Sequence, residues 1–256
     1  MTDLRRVELD RREGGVAVVT MRDAEGRNAM SERFIADLLA ALRDAEAWSA
    51  LKVVVLAGLP DVFSSGASLD MLVRLARGEI APTDILLAKV LLDMPVPVVA
   101  AMEGHAIGGG LALGLAADVV MIARESRYGA SFMNMGFTPG MGITKLLEHV
   151  VAPAVAREML FTGEPKKGSF FEGKSGFNAI LPKAEVMPRA MAMASRIADK
   201  PRISLEILKR SLTMDRRRAF ETTHTVESLM HRVSLAQPEI AARIEEHMAV
   251  EGHNAE

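Results

Sequence analysis

The chain of 256 residues is long enough for one large domain, and its 49% hydrophobic and 25% charged residues exclude a disordered protein. Lysine and arginine together number 31 against 33 aspartates and glutamates, so no basic excess indicates a nucleic-acid partner. The absence of cysteine excludes disulfides, thiolate metal sites and cysteine nucleophiles. The charged N-terminus and the lack of a long apolar segment predict a cytoplasmic protein without membrane contact.

Short apolar strands alternate with helices and glycine turns in the first two thirds of the chain. A helix is predicted from Ser31, as its N-cap, to Trp48, because apolar residues recur there at helical spacing. A second, small-residue helix is predicted within 108–117. The predicted strands are 16–21, 53–57, 96–102 and 119–123. This alternation predicts an α/β core.

The composition changes near residue 186, after which glycine is rare and Ala, Met, Arg, Glu and Leu dominate. We predict a core at 1–185 and a helical region at 186–256. The predicted helices are about 186–199, 202–213 and 217–249, with Pro188 and Pro201 at helix starts and a break near Pro238. Their apolar residues exceed what a monomer would bury, which predicts self-association; examples are Met191, Leu205, Leu208, Leu229 and Val233.

Two glycine-rich turns each follow a predicted strand. Residues 63–68 read FSSGAS, and residues 103–110 read EGHAIGGG. Glycine allows the backbone to approach a ligand, and free N–H groups at a helix start favour negative charge. Either turn alone is more often a packing turn. Two in one chain suggest a pair of amides that stabilises an oxyanion.

Four further segments carry recognisable motifs: FSSGASLDML at 63–72, AAMEGHAIGGGLALGLAADVVMIA at 100–123, MGFTPGMGITKLL at 135–147 and REMLFTGEP at 157–165. In order and spacing they resemble the motifs of the crotonase, or enoyl-CoA hydratase/isomerase, superfamily. The resemblance covers nearly the whole chain. It implies a crotonase-type spiral of ββα units, C-terminal helices that trimerise, and acyl-thioester substrates.

The same resemblance implies roles for individual residues. Ala67 and Gly109 match the two positions whose amides form the oxyanion hole of the superfamily. The residues implied to bind substrate around them are Gly66, Ser68, Leu69, Gly108, Gly110, Phe132 and Met133.

The chain departs from the hydratases at both of their catalytic carboxylates, which Ala112 and Phe132 replace. Hydration of an enoyl group needs one group to activate water and another to protonate the α-carbon. Neither residue can do so, and the usual isomerase carboxylate is missing for the same reason. An oxyanion hole in an apolar pocket suits a decarboxylation that forms a dienolate.

A C-terminal stretch, ESLMHRVSLAQPEIAARI at 227–244, resembles the branch that decarboxylates 3-methylglutaconyl groups in polyketide β-branching. That resemblance implies His231 as proton donor and a substrate on the phosphopantetheine of an acyl carrier protein, or on CoA. It implies no metal or other cofactor, and a homotrimer or dimer of trimers. His224, two helical turns earlier, is a second candidate.

One position differs from that branch. Leu69 stands where relatives carry a lysine, and Arg74 or Arg77 are candidate substitutes. Two alternatives therefore stay open. One is an isomerase, or another enolate-forming enzyme on CoA substrates, with His231 or Asp70 as base. The other is a catalytically impaired member that binds acyl groups. The run Arg216–Arg218 is interpreted as a solvated helix face or a contact to an acidic carrier, and His247 as a surface residue.

Overall fold

Two sheets and ten helices make up the part of the chain that the computed structural model describes, residues 6–80 and 86–253, with the side chains of 250–253 left out. The strands are β1 (Val7–Arg12), β2 (Val16–Met21), β3 (Val53–Ala57), β4 (Val62–Ser64), β5 (Val98–Met102), β6 (His105–Ile107), β7 (Val119–Ala123), β8 (Arg127–Gly129), β9 (Lys166–Lys167) and β10 (Ala179–Leu181). The helices are α1 (Glu32–Glu46), α2 (Leu69–Ala76), α3 (Leu87–Asp93), α4 (Gly109–Leu115), α5 (Ile143–Leu146), α6 (Pro153–Thr162), α7 (Lys183–Ala198), α8 (Arg202–Leu212), α9 (Met214–Leu235) and α10 (Ile240–His253). This confirms the predicted α/β class.

The larger sheet has the order β1-β2-β3-β5-β7-β10, parallel throughout except for the antiparallel β1–β2 hairpin. Its centre is buried on both faces, as the unbroken apolar run of β3 predicts. Because side chains alternate along a strand, Val54 and Leu56 face the main core, while Val53 and Val55 face helix α7. The charged β1 is an edge strand, where exposed charges oppose pairing with another chain.

The smaller sheet has the order β4-β6-β8-β9, and β4, β6 and β8 run parallel. Each of these three strands follows closely on a strand of the larger sheet: β4 on β3, β6 on β5 and β8 on β7. The chain thus repeats a unit of two strands and a helix or helical turn. Parallel strands end at a common edge, so the segments that leave β4, β6 and β8 meet there.

The predicted elements of the core are confirmed within a few residues. Strands β2, β3 and β7 have the predicted bounds, whereas the strand predicted from residue 96 begins at Val98. The Ser31 hydroxyl caps α1 by accepting a hydrogen bond from the Phe34 amide at 3.2 Å. The strands of the smaller sheet were not predicted, because three residues are too few to show an alternating pattern.

Two of the predictions made for the C-terminal helices are wrong. Pro188 does not start a helix: α7 begins at Lys183 directly after β10, and Pro188 lies in its second turn, where one backbone hydrogen bond is missing. Of the residues predicted to be left over, Leu205 is buried and Met191 packs beside the core, so the chain itself covers them. Leu208, Leu229 and Val233 are exposed as predicted. The break near Pro238 separates α9 from α10.

No helix of the described residues is long and apolar enough to cross a membrane.

Candidate active site

A cavity with about 760 Å³ of space between its lining atoms, part of it open to solvent, lies at the carboxyl ends of β4, β6 and β8. Segments that leave these strands form one wall, and helices α9 and α10 face them. Most of the side chains that line the cavity are apolar: Leu72, Leu75, Ile107, Phe132, Met135, Phe137, Met141 and Met248.

The turn after β4 brings the Ala67 amide to the cavity. Gly66 has a φ of +90°, a conformation that side-chain-bearing residues rarely adopt. Its carbonyl accepts a hydrogen bond from the Met30 amide at 2.7 Å, which fixes the turn against the start of α1. The Ala67 N–H has no acceptor among the described residues. It is available to a ligand.

The turn after β6 brings the Gly109 amide to the same cavity. Gly109 is the first residue of α4, so no residue within the helix accepts its N–H, and no other described residue does. The two turns are in contact, because a Cβ built on Gly66 would lie 3.5 Å from the Gly109 nitrogen and 2.9 Å from the Ile107 oxygen. The amides of Ala67 and Gly109 therefore belong to two turns that contact each other and line the same cavity.

The two replaced carboxylate positions have different surroundings. Ala112 is fully buried inside α4 and does not line the cavity. Phe132 lines it, and a Cβ on Gly108 would lie 3.9 Å from its ring. The cavity has an aromatic ring where a hydratase has an acid.

His231 is held by its surroundings on α9. Its Nε2 donates a hydrogen bond to the Thr138 carbonyl at 2.6 Å, which leaves Nδ1 buried with no hydrogen-bond partner. The ring packs edge-to-face on Phe137, with centroids 5.8 Å apart. Burial lowers the pKa of His231, and nearby His224 lowers it further, while the hydrogen bond to Thr138 opposes them. The imidazole is therefore neutral near pH 7, with a free lone pair on Nδ1.

Short contacts connect His231 to the Gly109 turn. A Cβ on Gly140 would lie 2.3 Å from the His231 ring, so only glycine fits beside this side chain. The next residue, Met141, places its sulfur 2.7 Å from where a Cβ of Gly109 would be. Residues 140–141 thus fill the space between His231 and the Gly109 turn.

Glu227 fixes α9 to the loop that contains those residues. Its carboxylate accepts hydrogen bonds from the Gly142 amide at 2.6 Å, the Thr144 amide at 3.1 Å and the Thr144 hydroxyl at 2.7 Å. Burial raises its pKa, and these donors oppose that rise. Glu227 is one turn from His231 on the same helix, so it also sets the position of that histidine.

Two further histidines line the cavity. His224 stacks on Phe220, with ring centroids 5.5 Å apart, and burial lowers its pKa. His247 on α10 is half-buried and lines the cavity, so its interpretation as a surface residue is wrong. The break near Pro238 folds α10 back over the site.

The structure brings six of the ten predicted site residues into one cavity: Gly66, Ala67, Gly108, Gly109, Phe132 and His231. The other four lie outside its lining. Ser68 caps α2 through the Met71 amide, and Gly110 packs against Ser64. Leu69 is 42% exposed and Met133 is 38% exposed.

The candidate cations lie elsewhere. Arg74 pairs with Glu32 at 2.6 Å and is near Asp70 and Glu79, while Arg77 is exposed. Neither lines the cavity, nor does any other lysine or arginine within the described ranges. Among the described residues that line the cavity, histidines are the only cation-forming side chains.

Arg216 and Arg217 bind the core rather than solvent. Arg216 donates to the carbonyls of Leu115 and Ala117, and Arg217 donates to the Leu92 carbonyl. They satisfy the C-terminal carbonyls of α4 and α3. The interpretation of this run as a free basic face is wrong for these two residues.

Sequence reasoning missed Glu227, Ser131 and His247 as site residues. Glu227 had a signal, because it lies at helical spacing between His224 and His231 on one face. Ser131 follows β8, a strand too short to be predicted. His247 reaches the cavity only because the chain reverses between α9 and α10.

The fold and the cavity identify the class of protein. The chain belongs to the enoyl-CoA hydratase/isomerase family, whose profile matches residues 11–249. This confirms the resemblance inferred from the four segments.

Within that family the chain is similar to decarboxylases. It is 37% identical to the bacillaene synthase decarboxylase PksI of Bacillus subtilis over 238 residues, 93% of this chain and 96% of that protein. It is 36% identical to the ECH2 decarboxylase domain of CurF from Lyngbya majuscula, with a TM-score of 0.89 over 95% of this chain and 99% of that domain. A structure from a dehydratase/decarboxylase enzyme couple of polyketide β-branching has a TM-score of 0.91 at 36% identity and covers 94% of this chain and 98% of that one.

Proposed function

We propose that this protein is a decarboxylase of a 3-methylglutaconyl thioester carried on an acyl carrier protein in polyketide β-branching. The observation that carries the proposal is one apolar cavity with two unpartnered amides, a buried histidine and no acid at Ala112 or Phe132. The similarity to decarboxylases of that pathway supports it. Hydration lacks its acid–base pair here.

The reaction begins with the thioester oxygen accepting hydrogen bonds from the Ala67 and Gly109 amides. The bond between the γ-carbon and the carboxylate carbon breaks, and its electrons enter the conjugated system as CO₂ leaves. The resulting dienolate carries its negative charge on the thioester oxygen, where each preorganised donor is worth about 3–4 kcal/mol. The two amides are fixed by the fold, so they need no rearrangement.

A proton must then reach carbon. Protonated His231 gives its Nδ1 proton to the dienolate and becomes neutral, which balances the loss of CO₂ from a carboxylate. Delivery to the α-carbon yields the β,γ-unsaturated product, and delivery to the γ-carbon yields the α,β-unsaturated one. Because the imidazole is neutral in the free protein, His231 takes up this proton from solvent before the reaction in each turnover. The phosphopantetheine arm of the carrier, or of CoA, supplies the thioester.

The test is to incubate the protein with 3-methylglutaconyl carrier protein and to measure the mass of the acyl group by mass spectrometry. A loss of 44 Da supports the decarboxylase. An unchanged mass with a moved double bond identifies an isomerase, and an unchanged acyl group identifies a member that only binds. The same substrate on CoA in a parallel reaction establishes which carrier is used.

We also propose that the protein assembles as a homotrimer or dimer of trimers. Large apolar side chains stand exposed on α8 and α9, including Ile203, Ile207, Leu212, Leu229 and Val233. Such a surface is typical of an interface between copies. Light scattering at micromolar concentration tests this, and a monomer contradicts it.

A further inference from the structure

One short loop segment, residues 137–140, holds the imidazole of His231. Phe137 packs edge-to-face on the ring, with centroids 5.8 Å apart. The Thr138 carbonyl accepts a hydrogen bond from Nε2 at 2.6 Å. Gly140 leaves room for the ring, because a Cβ there would collide with it. Since a carbonyl oxygen only accepts hydrogen bonds, its position decides that Nε2 carries the hydrogen and that Nδ1 is free to act.

The Thr138 carbonyl is in turn fixed by Ser234, which lies one turn beyond His231 on α9. The Ser234 hydroxyl accepts a hydrogen bond from the Thr138 amide at 3.2 Å, and the two hydroxyls share a second hydrogen bond at 3.1 Å. Pro139 restricts Thr138 to extended conformations, so few backbone rotations are left to it. Two hydrogen bonds to the helix and one restricted residue therefore determine where the carbonyl points.

The same loop is attached to α9 on the other side of the histidine. Glu227, four residues before His231, accepts hydrogen bonds from two amides within 142–144. Ser234, three residues after His231, accepts one from Thr138. Residues three and four apart lie on one face of a helix, so all three side chains project towards the loop. The histidine thus lies between the two attachment points of the loop that orients it.

We propose that Ser234 is a positioning residue for the proton donor, because it holds the Thr138 carbonyl so that His231 keeps its hydrogen on Nε2 and turns Nδ1 to the cavity. This inference rests on the decarboxylase function proposed above, in which Nδ1 delivers the proton. Ser234 does not line the cavity. It acts through a backbone carbonyl, which orients the ring as a carboxylate does in a catalytic triad.

The hydrogen bond to Thr138 affects both the orientation and the charge of the ring. Without it, the ring is free to turn over and to carry its hydrogen on either nitrogen. Burial lowers the pKa of His231, the bond to Thr138 raises it, and nearby His224 lowers it. Among the described residues that line the cavity, the other titratable side chains are Glu227 and His247. Loss of the bond therefore lowers the pKa further and leaves less of the donor protonated.

The first experiment is kinetic. Ser234→Ala removes the acceptor of the Thr138 amide. We expect kcat at neutral pH to fall about 3- to 10-fold, the usual effect of losing one neutral hydrogen bond, with KM unchanged. Because the donor must be protonated, the decline of kcat/KM with rising pH should begin at a lower pH than in the unaltered protein. Ser234→Thr keeps the hydroxyl and should restore both properties.

Thr225→Ala is the matched control on the same helix. Thr225 is exposed, and its hydroxyl donates to the Glu221 carbonyl at 3.3 Å, so neither kcat nor the pH profile should change. An equal change in the Thr225→Ala and Ser234→Ala proteins overturns the inference, because it would reflect a general weakening of α9. So does a Ser234→Thr protein that behaves like Ser234→Ala.

The second experiment needs no substrate. Nitrogen NMR of labelled histidine rings shows which nitrogen carries the hydrogen and at what pH the ring is protonated, and His231→Ala assigns the signals. We expect the hydrogen on Nε2 in the unaltered protein. Ser234→Ala should give a mixture of both tautomers and protonation at a lower pH. An unchanged tautomer and pKa in the folded variant overturn the inference. Failure to decarboxylate would refute the proposed function without altering this result.

Discussion

The cavity has one wall of backbone groups and one wall of side chains. In the first, the Ala67 and Gly109 amides are set by strands of the smaller sheet and by glycine turns in contact with each other. In the second, His224, Glu227 and His231 project from one face of α9. In the proposed reaction, the backbone wall stabilises the negative charge of the dienolate, and the side-chain wall supplies the proton.

We expect the largest effect on activity when a side chain is removed from the side-chain wall on α9. His231→Ala should slow product formation by roughly 10²–10⁴-fold, because a general acid contributes that range. Acyl binding through the amides should remain largely intact. Release of CO₂ and the affinity for a thioester without a carboxylate are the two measurements.

His224→Ala is the matched control on the same face of α9. Its ring stacks on Phe220, so its loss should reduce activity far less than that of His231. If His224→Ala loses activity while His231→Ala keeps it, the proton donor lies two turns earlier on the helix. If neither matters, the proton comes from another source.

A disturbance of the backbone wall should have the next largest effect. Gly66→Ala places a Cβ 2.9 Å from the Ile107 oxygen at a φ of +90°, so the Ala67 amide must move. Loss of one oxyanion donor should lower kcat by roughly 10²–10³-fold. Gly14→Ala is the control, because its φ of +80° is similar and nothing lies within 4 Å. An equal fall in kcat in both variants would show that backbone strain alone is the cause and that the position of the Ala67 amide does not matter.

The two walls also differed in how well the sequence predicted them. Glycines at 66 and 108–110 marked the backbone wall, because positive φ and close backbone approach leave few other choices. His231 was marked only by the resemblance of the segment 227–244 to the decarboxylase branch. Ser131 and His247 had no local signal: one follows a three-residue strand, and the other reaches the site only through the fold-back of α10. Sequence patterns report local geometry, whereas these contacts arise between segments far apart in the chain.

The same difference explains the residues that fell outside the cavity. Ser68, Leu69 and Gly110 are neighbours of the two amides in sequence, but a turn and a helix start direct adjacent residues to different sides. Ser68 is used as the cap of α2, and Gly110 packs on Ser64. A residue next to one of these amides in sequence therefore need not line the cavity.

The dependence of kcat and kcat/KM on pH should show whether His231 acts as an acid or as a base. Burial lowers the pKa of His231 from its usual 6.5. A proton donor must be protonated, so kcat/KM should fall as pH rises through that lowered pKa, about tenfold per pH unit. The kcat profile should fall at a higher pH, because the bound carboxylate favours the imidazolium. An isomerase that uses neutral His231 as a base would show the opposite slope.

The smallest expected effect comes from weakening the contact between the side-chain wall on α9 and the loop at 140–144. Glu227→Gln replaces one carboxylate oxygen with an NH₂ group that cannot accept a hydrogen bond from Gly142 or Thr144. We expect the free energy of unfolding to fall by about 1–3 kcal/mol, because a buried donor is left without its acceptor. Glu221→Gln is exposed on the same helix, so it should change stability by less than about 0.5 kcal/mol. Urea denaturation measures both.

Because Glu227 lies one turn from His231, its substitution should also lower kcat while leaving affinity for a butyryl thioester unchanged. Equal stability of the two variants would show that the loop at 140–144 is held without Glu227, and the two walls would then be independent.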